Sequence, residues 1–271
     1  MGIERANVLI VAGYDQSAGA GVLSDVKTLE AHGVYGYAVC TGFTFQNERE
    51  VSRVQWFSMK EVFEQIDLCF ASRRFDWVKM GITPSMRAAM EIIEHLRQHN
   101  PGVKVVLDPV IRASSGAAFW AGIAGGNVGD GMSEWEVVAG MCYLLTPNWE
   151  EMGWLYPGED LMERCRVFTR EAGNSIYLKG GHHPELPGRD YLWSRGELQV
   201  LDAMTDGGLV YPKHGSGCVL SSSLAANLAL GYSLPEAAAY SKRYIEQFLT
   251  SNKTLLGWHQ GFIFSPWMKV L

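Results

Sequence analysis

Short, continuously apolar segments alternate with helical segments through most of this chain. The first apolar segment, residues 8–12, ends at Gly13 and precedes a helix predicted from Val22 to His32. Apolar runs of this length are typical of strands that are buried on both faces of a parallel sheet. The alternation therefore predicts βαβ units with right-handed crossovers, and so an α/β fold around a mostly parallel sheet.

The same alternation continues along the chain. Strands are predicted over residues 35–42, 77–81, 103–107, 141–145 and 175–179, helices over 58–71, 85–98, 218–231 and 235–251, and a β-hairpin over 190–200. The hairpin would add antiparallel strands at an edge of the sheet. The glycine-rich segment 122–131 predicts irregular structure, either a flap over a site or a plain surface loop.

Composition limits the classes of protein to which the chain can belong. A length of 271 residues with 47% hydrophobic residues allows a large core, and we expect one domain over residues 1–271. The net charge of −6, without a basic cluster, argues against a nucleic-acid partner. The chain shows neither a signal-peptide pattern nor an apolar run of roughly 20 residues, so we expect a cytoplasmic protein without membrane contact.

The five cysteines show neither CxxC nor Cys/His ligand spacing, which argues against a disulfide framework or a structural zinc site. Cys218 differs from the others because it lies at a predicted helix N-terminus, a setting that lowers a thiol pKa. The adjacent His182 and His183 are better explained by a polar loop than by a metal site.

A glycine turn precedes the helix predicted from Cys218. Gly215 and Gly217 flank Ser216, which lets the backbone approach a ligand closely. The first amides of a helix have no intrahelical partner, and the helix dipole favours an anion beside them. The turn is therefore a candidate phosphate site, with an ordinary loop before a core helix as the alternative.

Polar residues follow several predicted strands. Asp108 follows the strand at 103–107, Lys179 ends the strand at 175–179, and Asn148 and Glu151 lie at a helix start after the strand at 141–145. Open α/β sheets bind ligands at this edge. Asn148 and Glu151 are three residues apart, so they either face one ligand or form a helix capping box.

Six motifs in order along residues 8–250 resemble the ribokinase-like superfamily, and most closely its hydroxymethylpyrimidine/phosphomethylpyrimidine kinases of thiamine biosynthesis. The motifs lie at residues 12–21, 46–47, 108–110, 146–151, 178–182 and 214–218. The resemblance implies a three-layer α/β/α sandwich and an ATP- and Mg²⁺-dependent kinase. It also implies a homodimer that phosphorylates 4-amino-5-hydroxymethyl-2-methylpyrimidine and then its monophosphate.

The resemblance assigns roles to residues in three groups. The pyrimidine pocket would be lined by Gly13, Asp15, Ala20, Gln46 and Ile82. Mg²⁺ and its waters would be organised by Asp108, Asn148 and Glu151, with Asp108 and Glu151 as the metal residues and Asn148 also beside the nucleotide. Lys179 would lie beside the nucleotide phosphates, and the amides of Gly215, Ser216, Gly217 and Cys218 would contact the transferred phosphoryl group.

Some alternatives stay open at the level of sequence. Many sugar kinases of the superfamily have Asp where this chain has Cys218, so Cys218 either accepts the hydroxymethyl proton or only shapes the pocket. Ala18 occupies a position where the family more often has glycine. The rival functions are a pyridoxal kinase of the same superfamily and a ligand-binding homologue without turnover.

Overall fold

The structure is a computed structural model that describes residues 5–111, 119–120, 127–128, 132–181, 183, 185–203 and 209–261. Within these residues the strands are β1 (Asn7–Asp15), β2 (Tyr35–Gln46), β3 (Val51–Trp56), β4 (Trp77–Met80), β5 (Lys104–Leu107), β6 (Asn127–Val128), β7 (Met132–Ser133), β8 (Leu144–Leu145), β9 (Ser175–Leu178), β10 (Asp190–Ser194) and β11 (Glu197–Leu201).

The main sheet has the strand order β11-β10-β9-β8-β5-β4-β1-β2-β3. Its six central strands, from β9 to β2 in this order, are parallel to one another. The β10–β11 hairpin is antiparallel at one edge, as expected, and β3 is antiparallel to β2 at the other. Because the central strands are parallel, their carboxyl ends all reach the same edge of the sheet.

The helices form a layer on each face of the sheet. They are α1 (Gly21–Ala31), α2 (Met59–Ser72), α3 (Met86–His99), α4 (Glu134–Gly140), α5 (Trp149–Leu155), α6 (Leu161–Ala172), α7 (Ser216–Ala229) and α8 (Leu234–Thr250). Helices α1, α7 and α8 pack together on one face, and the other helices contribute to the core on the opposite face. The predicted three-layer α/β/α architecture is confirmed.

Strand β1 shows how the sequence specifies both layers. Val8 and Ile10 pack in the core under α1, α7 and α8, whereas Leu9 and Val11 pack in the opposite core. All four side chains are completely buried. Successive side chains of a strand point to opposite faces, so a strand between two helical layers must be apolar at every position.

Several predicted boundaries were wrong. The strand expected over residues 141–145 is confined to Leu144–Leu145, because Met141 ends α4 and the Cys142 amide closes that turn on the Ala139 carbonyl. Strand β2 continues to Gln46, since β3, which the sequence did not predict, pairs with its second half. Helices α4 and α6 were also not predicted.

The glycine-rich segment 122–131 lies mostly outside the described residues. Within it, Asn127–Val128 pairs with Met132–Ser133 in a short antiparallel ladder, so the expectation of wholly irregular structure is wrong at these two residues. His182 also lies outside the described residues. The Nδ1 atom of His183 accepts the amides of Glu185 and Leu186, as expected of a residue in a polar loop.

Candidate active site

A cavity of about 210 Å³ lies along the edge where the parallel strands end. It includes the crevice between the neighbouring strands β1 and β4. The chain continues from β1 to β2 on one side of this crevice and from β4 to β5 on the other, so the strand order reverses there. Ligands of open α/β sheets bind in such a crevice. The residues expected at the site all line this cavity, namely Gly13, Asp15, Ala20, Gln46, Ile82, Asp108, Asn148, Glu151, Lys179, Gly215, Ser216, Gly217 and Cys218.

Asp15, at the end of β1, joins two of the turns around the cavity. Its Oδ2 atom accepts hydrogen bonds from His214 Nε2 at 2.8 Å and from the Ala20 amide at 2.9 Å. Burial alone would raise the pKa of Asp15, but the bonds from His214, Ser17 and Ala20 lower it. The ionised carboxylate therefore holds the turn after β1 against the glycine turn before α7.

The glycine turn begins α7 two residues earlier than the sequence predicted. Gly215 has φ of 75°, and a Cβ atom there would collide with the carbonyl oxygen of Gly19, so glycine is required for both reasons. The first bond within α7 runs from the Val219 amide to the Gly215 carbonyl. The amides of Ser216, Gly217 and Cys218 precede it and have no partner within the helix, which makes this first turn an anion site.

Lys179 lies between two buried carboxylates. Its Nζ atom is 2.8 Å from Asp108 Oδ1 and 3.7 Å from Glu151 Oε2. Burial raises the pKa of Glu151 to about 7, although the Lys179 ammonium opposes the shift. Burial alone would lower the pKa of Lys179, but the charges of Asp108 and Glu151 raise it, so the ammonium stays protonated.

Asn148 and Glu151 form a capping box at the start of α5. The Glu151 Oε2 atom accepts the Asn148 amide at 2.6 Å, and Asn148 Oδ1 accepts the Glu151 amide at 2.8 Å. The capping interpretation is therefore confirmed. Glu151 also faces Lys179 across the cavity edge, so the cap fixes the position of a carboxylate that belongs to the site.

A buried ion pair that the sequence analysis missed lies beside the glycine turn. Lys79 Nζ is 2.8 Å from Asp25 Oδ2, and both side chains are 0% exposed. Ser222, on α7, donates to the other oxygen of Asp25 at 2.7 Å. Burial alone would lower the pKa of Lys79, but the carboxylates of Asp25 and Asp108 raise it, so a fixed positive charge lies next to Cys218.

The Cys218 thiol has a pKa opposite to the one its sequence position suggested. Burial raises the pKa of Cys218 to about 11, and the nearby charges of Asp25 and Asp108 add to the increase. Lys79 and the Gly21 amide lower it only in part. The lowered pKa that the helix N-terminus predicted for this thiol is wrong, because desolvation outweighs the helix dipole.

The opposite end of the cavity is lined by glycine and apolar side chains together with Thr44 and Gln46. A Cβ atom at Gly13 would lie 2.9 Å from Ile82 Cγ1, so the glycine makes room for the isoleucine side chain. Thr44 and Gln46, from the extended part of β2, line the same cavity with Val110 and Phe119. A carboxamide beside apolar walls suits a flat heterocycle with both donors and acceptors on its edge.

Four polar residues of this region were missed at the sequence level: Asp25, Thr44, Lys79 and His214. Lys79 gave a usable signal, since a lysine within the otherwise apolar strand β4 must have a buried partner. Asp25 gave none, because an acidic residue on a helix is usually exposed. His214 was noted only as part of the glycine motif.

Comparison with known families decides the assignment. The family model described as phosphomethylpyrimidine kinase matches residues 15–262. The chain belongs to this family. A relative named hydroxymethylpyrimidine/phosphomethylpyrimidine kinase, from Rhizobium meliloti (strain 1021), is 30% identical over 97% of this chain and 99% of its own length. The family and the kinase activity expected from the six motifs are therefore confirmed.

Solved structures agree with this phosphomethylpyrimidine kinase assignment. The phosphomethylpyrimidine kinase of Clostridium difficile 630 has a TM-score of 0.70 and 29% identity, over 89% of this chain and 98% of that one. The pyridoxal kinase of Staphylococcus aureus, in complex with AMP-PCP, has a TM-score of 0.77 at 19% identity, over 97% and 96%. The second likeness supports the ribokinase-like fold alone.

Proposed function

We propose that the protein transfers the γ-phosphoryl group of ATP to the hydroxymethyl group of 4-amino-5-hydroxymethyl-2-methylpyrimidine, and then to the resulting monophosphate. The observation that supports this most directly is the division of one cavity into two ends. Gly13, Ile82 and Gln46 line one end, and the first-turn amides of α7 with Lys179 form an anion site at the other.

In the first reaction the hydroxymethyl oxygen attacks the γ-phosphorus, the bond to the β–γ bridging oxygen breaks, ADP leaves, and the hydroxyl proton passes to the transferred phosphoryl group or to water. In the second, an oxygen of the monophosphate is the nucleophile, and the product is the pyrophosphate. Catalysis of phosphoryl transfer is mainly positioning and charge stabilisation. The amides of Ser216, Gly217 and Cys218 are fixed by α7 and need no reorganisation to stabilise the transferred group.

Asp108 and Glu151 suit a magnesium ion. Both are buried carboxylates, at 1% and 4% side-chain exposure, and Lys179 is the cation that contacts both. Carboxylate oxygens with associated waters are the ligands that Mg²⁺ prefers, and the ion would neutralise charge on the triphosphate. Asp108 and Glu151 would hold it, while Asn148 and Lys179 would contact the nucleotide.

Cys218 serves, in this proposal, as a neutral residue that shapes the pocket. Its pKa of about 11 leaves little thiolate at neutral pH. A loose phosphoryl-transfer transition state places little demand on a base, because bond formation to the attacking oxygen is not far advanced. The small side chain leaves room for the hydroxymethyl group beside the first turn of α7.

Three further features remain predictions: a single domain over residues 1–271, a homodimer and a cytoplasmic location. The continuous sheet from β11 to β3 supports the single domain. Among the described residues, none belongs to a helix with the length and apolarity required to cross a membrane. Light scattering of the purified chain would measure the oligomeric state.

A phosphoryl-transfer assay with Mg-ATP tests the proposal. Hydroxymethylpyrimidine, its monophosphate and pyridoxal are supplied in parallel, and ADP and the phosphorylated products are measured. We expect turnover with both pyrimidines. Phosphorylation of pyridoxal alone would identify a pyridoxal kinase instead, and saturable pyrimidine binding without ADP release would identify a binding protein without catalysis.

A further inference from the structure

Two histidines and an aspartate converge on the outer surface of the α2–α3 layer. His95 Nε2 is 2.6 Å from Asp67 Oδ1, and His99 Nε2 is 2.7 Å from the same oxygen. The three ligand atoms all lie within 4.8 Å of one another. None of the three residues lines the active-site cavity.

The orientation of both imidazole rings is fixed by aromatic stacking. His95 stacks on Phe63 with ring centroids 4.3 Å apart and an interplanar angle of 18°, and His99 stacks on Phe70 at 4.8 Å and 12°. Phe63 and Phe70 lie one turn before and one turn after Asp67 on α2. Stacking on Phe63 and Phe70 therefore fixes the planes of the two imidazole rings while both Nε2 atoms face Asp67. Little side-chain entropy remains to be lost when a ligand binds.

The helical spacing is the one that metal sites use. His95 and His99 are four residues apart on α3, so their side chains share one face of the helix. Asp67 approaches from α2. Two imidazole nitrogens and one carboxylate oxygen are ligands for Zn²⁺ and related divalent transition metals, at about 2.0–2.2 Å from the ion, and three protein ligands leave a fourth position for water.

We propose that Asp67, His95 and His99 bind a divalent transition-metal ion, with Zn²⁺ as the representative ion, and that this ion links α2 to α3. In the absence of metal the Nε2 hydrogens are donated to Asp67. On binding, each Nε2 atom must present its lone pair to the ion, which leaves Nδ1 to carry the ring hydrogen.

The position of the site indicates a structural role and not a catalytic one. Helix α3 begins after the carboxyl end of β4, close to the cavity, and runs back along the sheet. His95 and His99 lie in its last turns, toward the opposite edge of the sheet. An ion there would stabilise the folded chain by an amount that grows with the logarithm of its concentration over Kd, without contact with the substrates.

The test is metal binding by tag-free, chelator-treated protein. Zn²⁺ binding is measured by equilibrium dialysis, and Co²⁺ is used as a spectroscopic probe whose visible absorption reports its coordination. Variants are Asp67→Asn, His95→Gln and His99→Gln. The control is Glu94→Gln, which removes an exposed carboxylate from the same helix but no ligand. Circular dichroism verifies that each variant is folded.

We expect one ion per chain, a weakening of more than about tenfold in each ligand variant, and native affinity in the control. Saturating Zn²⁺ should raise the Tm of the native protein by roughly 5 °C and should leave the His95→Gln variant unchanged. Activity without added Zn²⁺ should be the same in all four variants. A Kd for Zn²⁺ weaker than on the order of 100 μM in the native protein would overturn the proposal. Native affinity in the folded His95→Gln and His99→Gln variants would also overturn it.

Discussion

Replacement of Lys79 by Met should leave Asp25 buried without its cation. Both side chains are 0% exposed, and removal of one partner from such a pair costs about 3–5 kcal/mol. A second route gives a similar value. If Asp25 stays neutral in the folded variant, uptake of a proton at pH 7 costs about 1.36 kcal/mol for each of the roughly 3.1 pH units above its ordinary pKa, or about 4 kcal/mol.

The stability of the Lys79→Met variant should depend on pH because of the buried Asp25. Burial raises the pKa of Asp25, and the Lys79 ammonium that opposes this increase is absent from the variant. The folded variant then binds more protons than the unfolded chain above about pH 4, so its free energy of unfolding must fall as pH rises. The loss should grow from about 1.5 kcal/mol at pH 5 to about 4 kcal/mol at pH 7.

Urea denaturation followed by circular dichroism at pH 5, 6 and 7 measures these values. The matched control is the double variant Lys79→Met/Asp25→Asn, which carries no charge at either position. Relative to the native protein, its stability should be close to pH-independent between pH 5 and 7. The prediction is wrong if the free energy of unfolding of Lys79→Met at pH 7 falls by less than about 1 kcal/mol, or if its decrease does not vary with pH. Either result would mean that water reaches Asp25.

Three other predictions concern the cavity and the turn that follows β1. Cys218→Ala should keep kcat within about tenfold of the native value at pH 8, where a thiol of pKa about 11 is ionised in on the order of one molecule in a thousand; a much larger loss, with a native kcat that rises steadily with pH, would make Cys218 the base. Gly217→Asp should lower kcat on the order of a hundredfold with little change in pyrimidine KM, because its Cβ would lie 3.2 Å from Lys179 Nζ and its carboxylate would occupy the anion site. Gly217→Asn should lower kcat less, since its side chain carries no charge. Ala18→Gly should raise Tm by about 1–3 °C in a thermal melt, since Ala18 has φ of 55°, and Ala20→Gly, in extended backbone, should lower it.

The sequence predicted the placement of the strand-end residues because that placement depends on chain order alone. Once the strands are parallel, Asp108 and Lys179 must reach the same edge, whatever the details of packing. The left-handed conformation of Ala18, with φ of 55°, is one that glycine adopts without strain, which agrees with the glycine that the resemblance implies at this position. The state of Cys218 was not predictable, because desolvation depends on every element packed around the thiol.

The contacts between elements were the part that the sequence could not supply. Lys79 and Asp25 are 54 residues apart, and their pairing follows only from the packing of α1 against the sheet. The strand β3 was missed because its exposed edge position removes the continuous apolar pattern that identifies a buried strand. Local patterns therefore identified the buried strands, and the polar groups between layers required the three-dimensional structure.

Helix α7 determines the geometry of the site through its consecutive serines. Successive residues of a helix point about 100° apart, so each serine reaches a different neighbour. Ser222 donates to Asp25 at 2.7 Å and Ser223 bonds to His32 at 2.9 Å. The Ser221 hydroxyl lies 3.3 Å from Asp108 Oδ2 and 3.0 Å from the Gly217 carbonyl of its own helix. Because these buried bonds fix both the rotation and the axial position of α7, the free amides of its first turn are held at a set distance from the carboxylate that contacts Lys179. The same helix thus supplies the anion site and holds it in register with the charged residues that complete it.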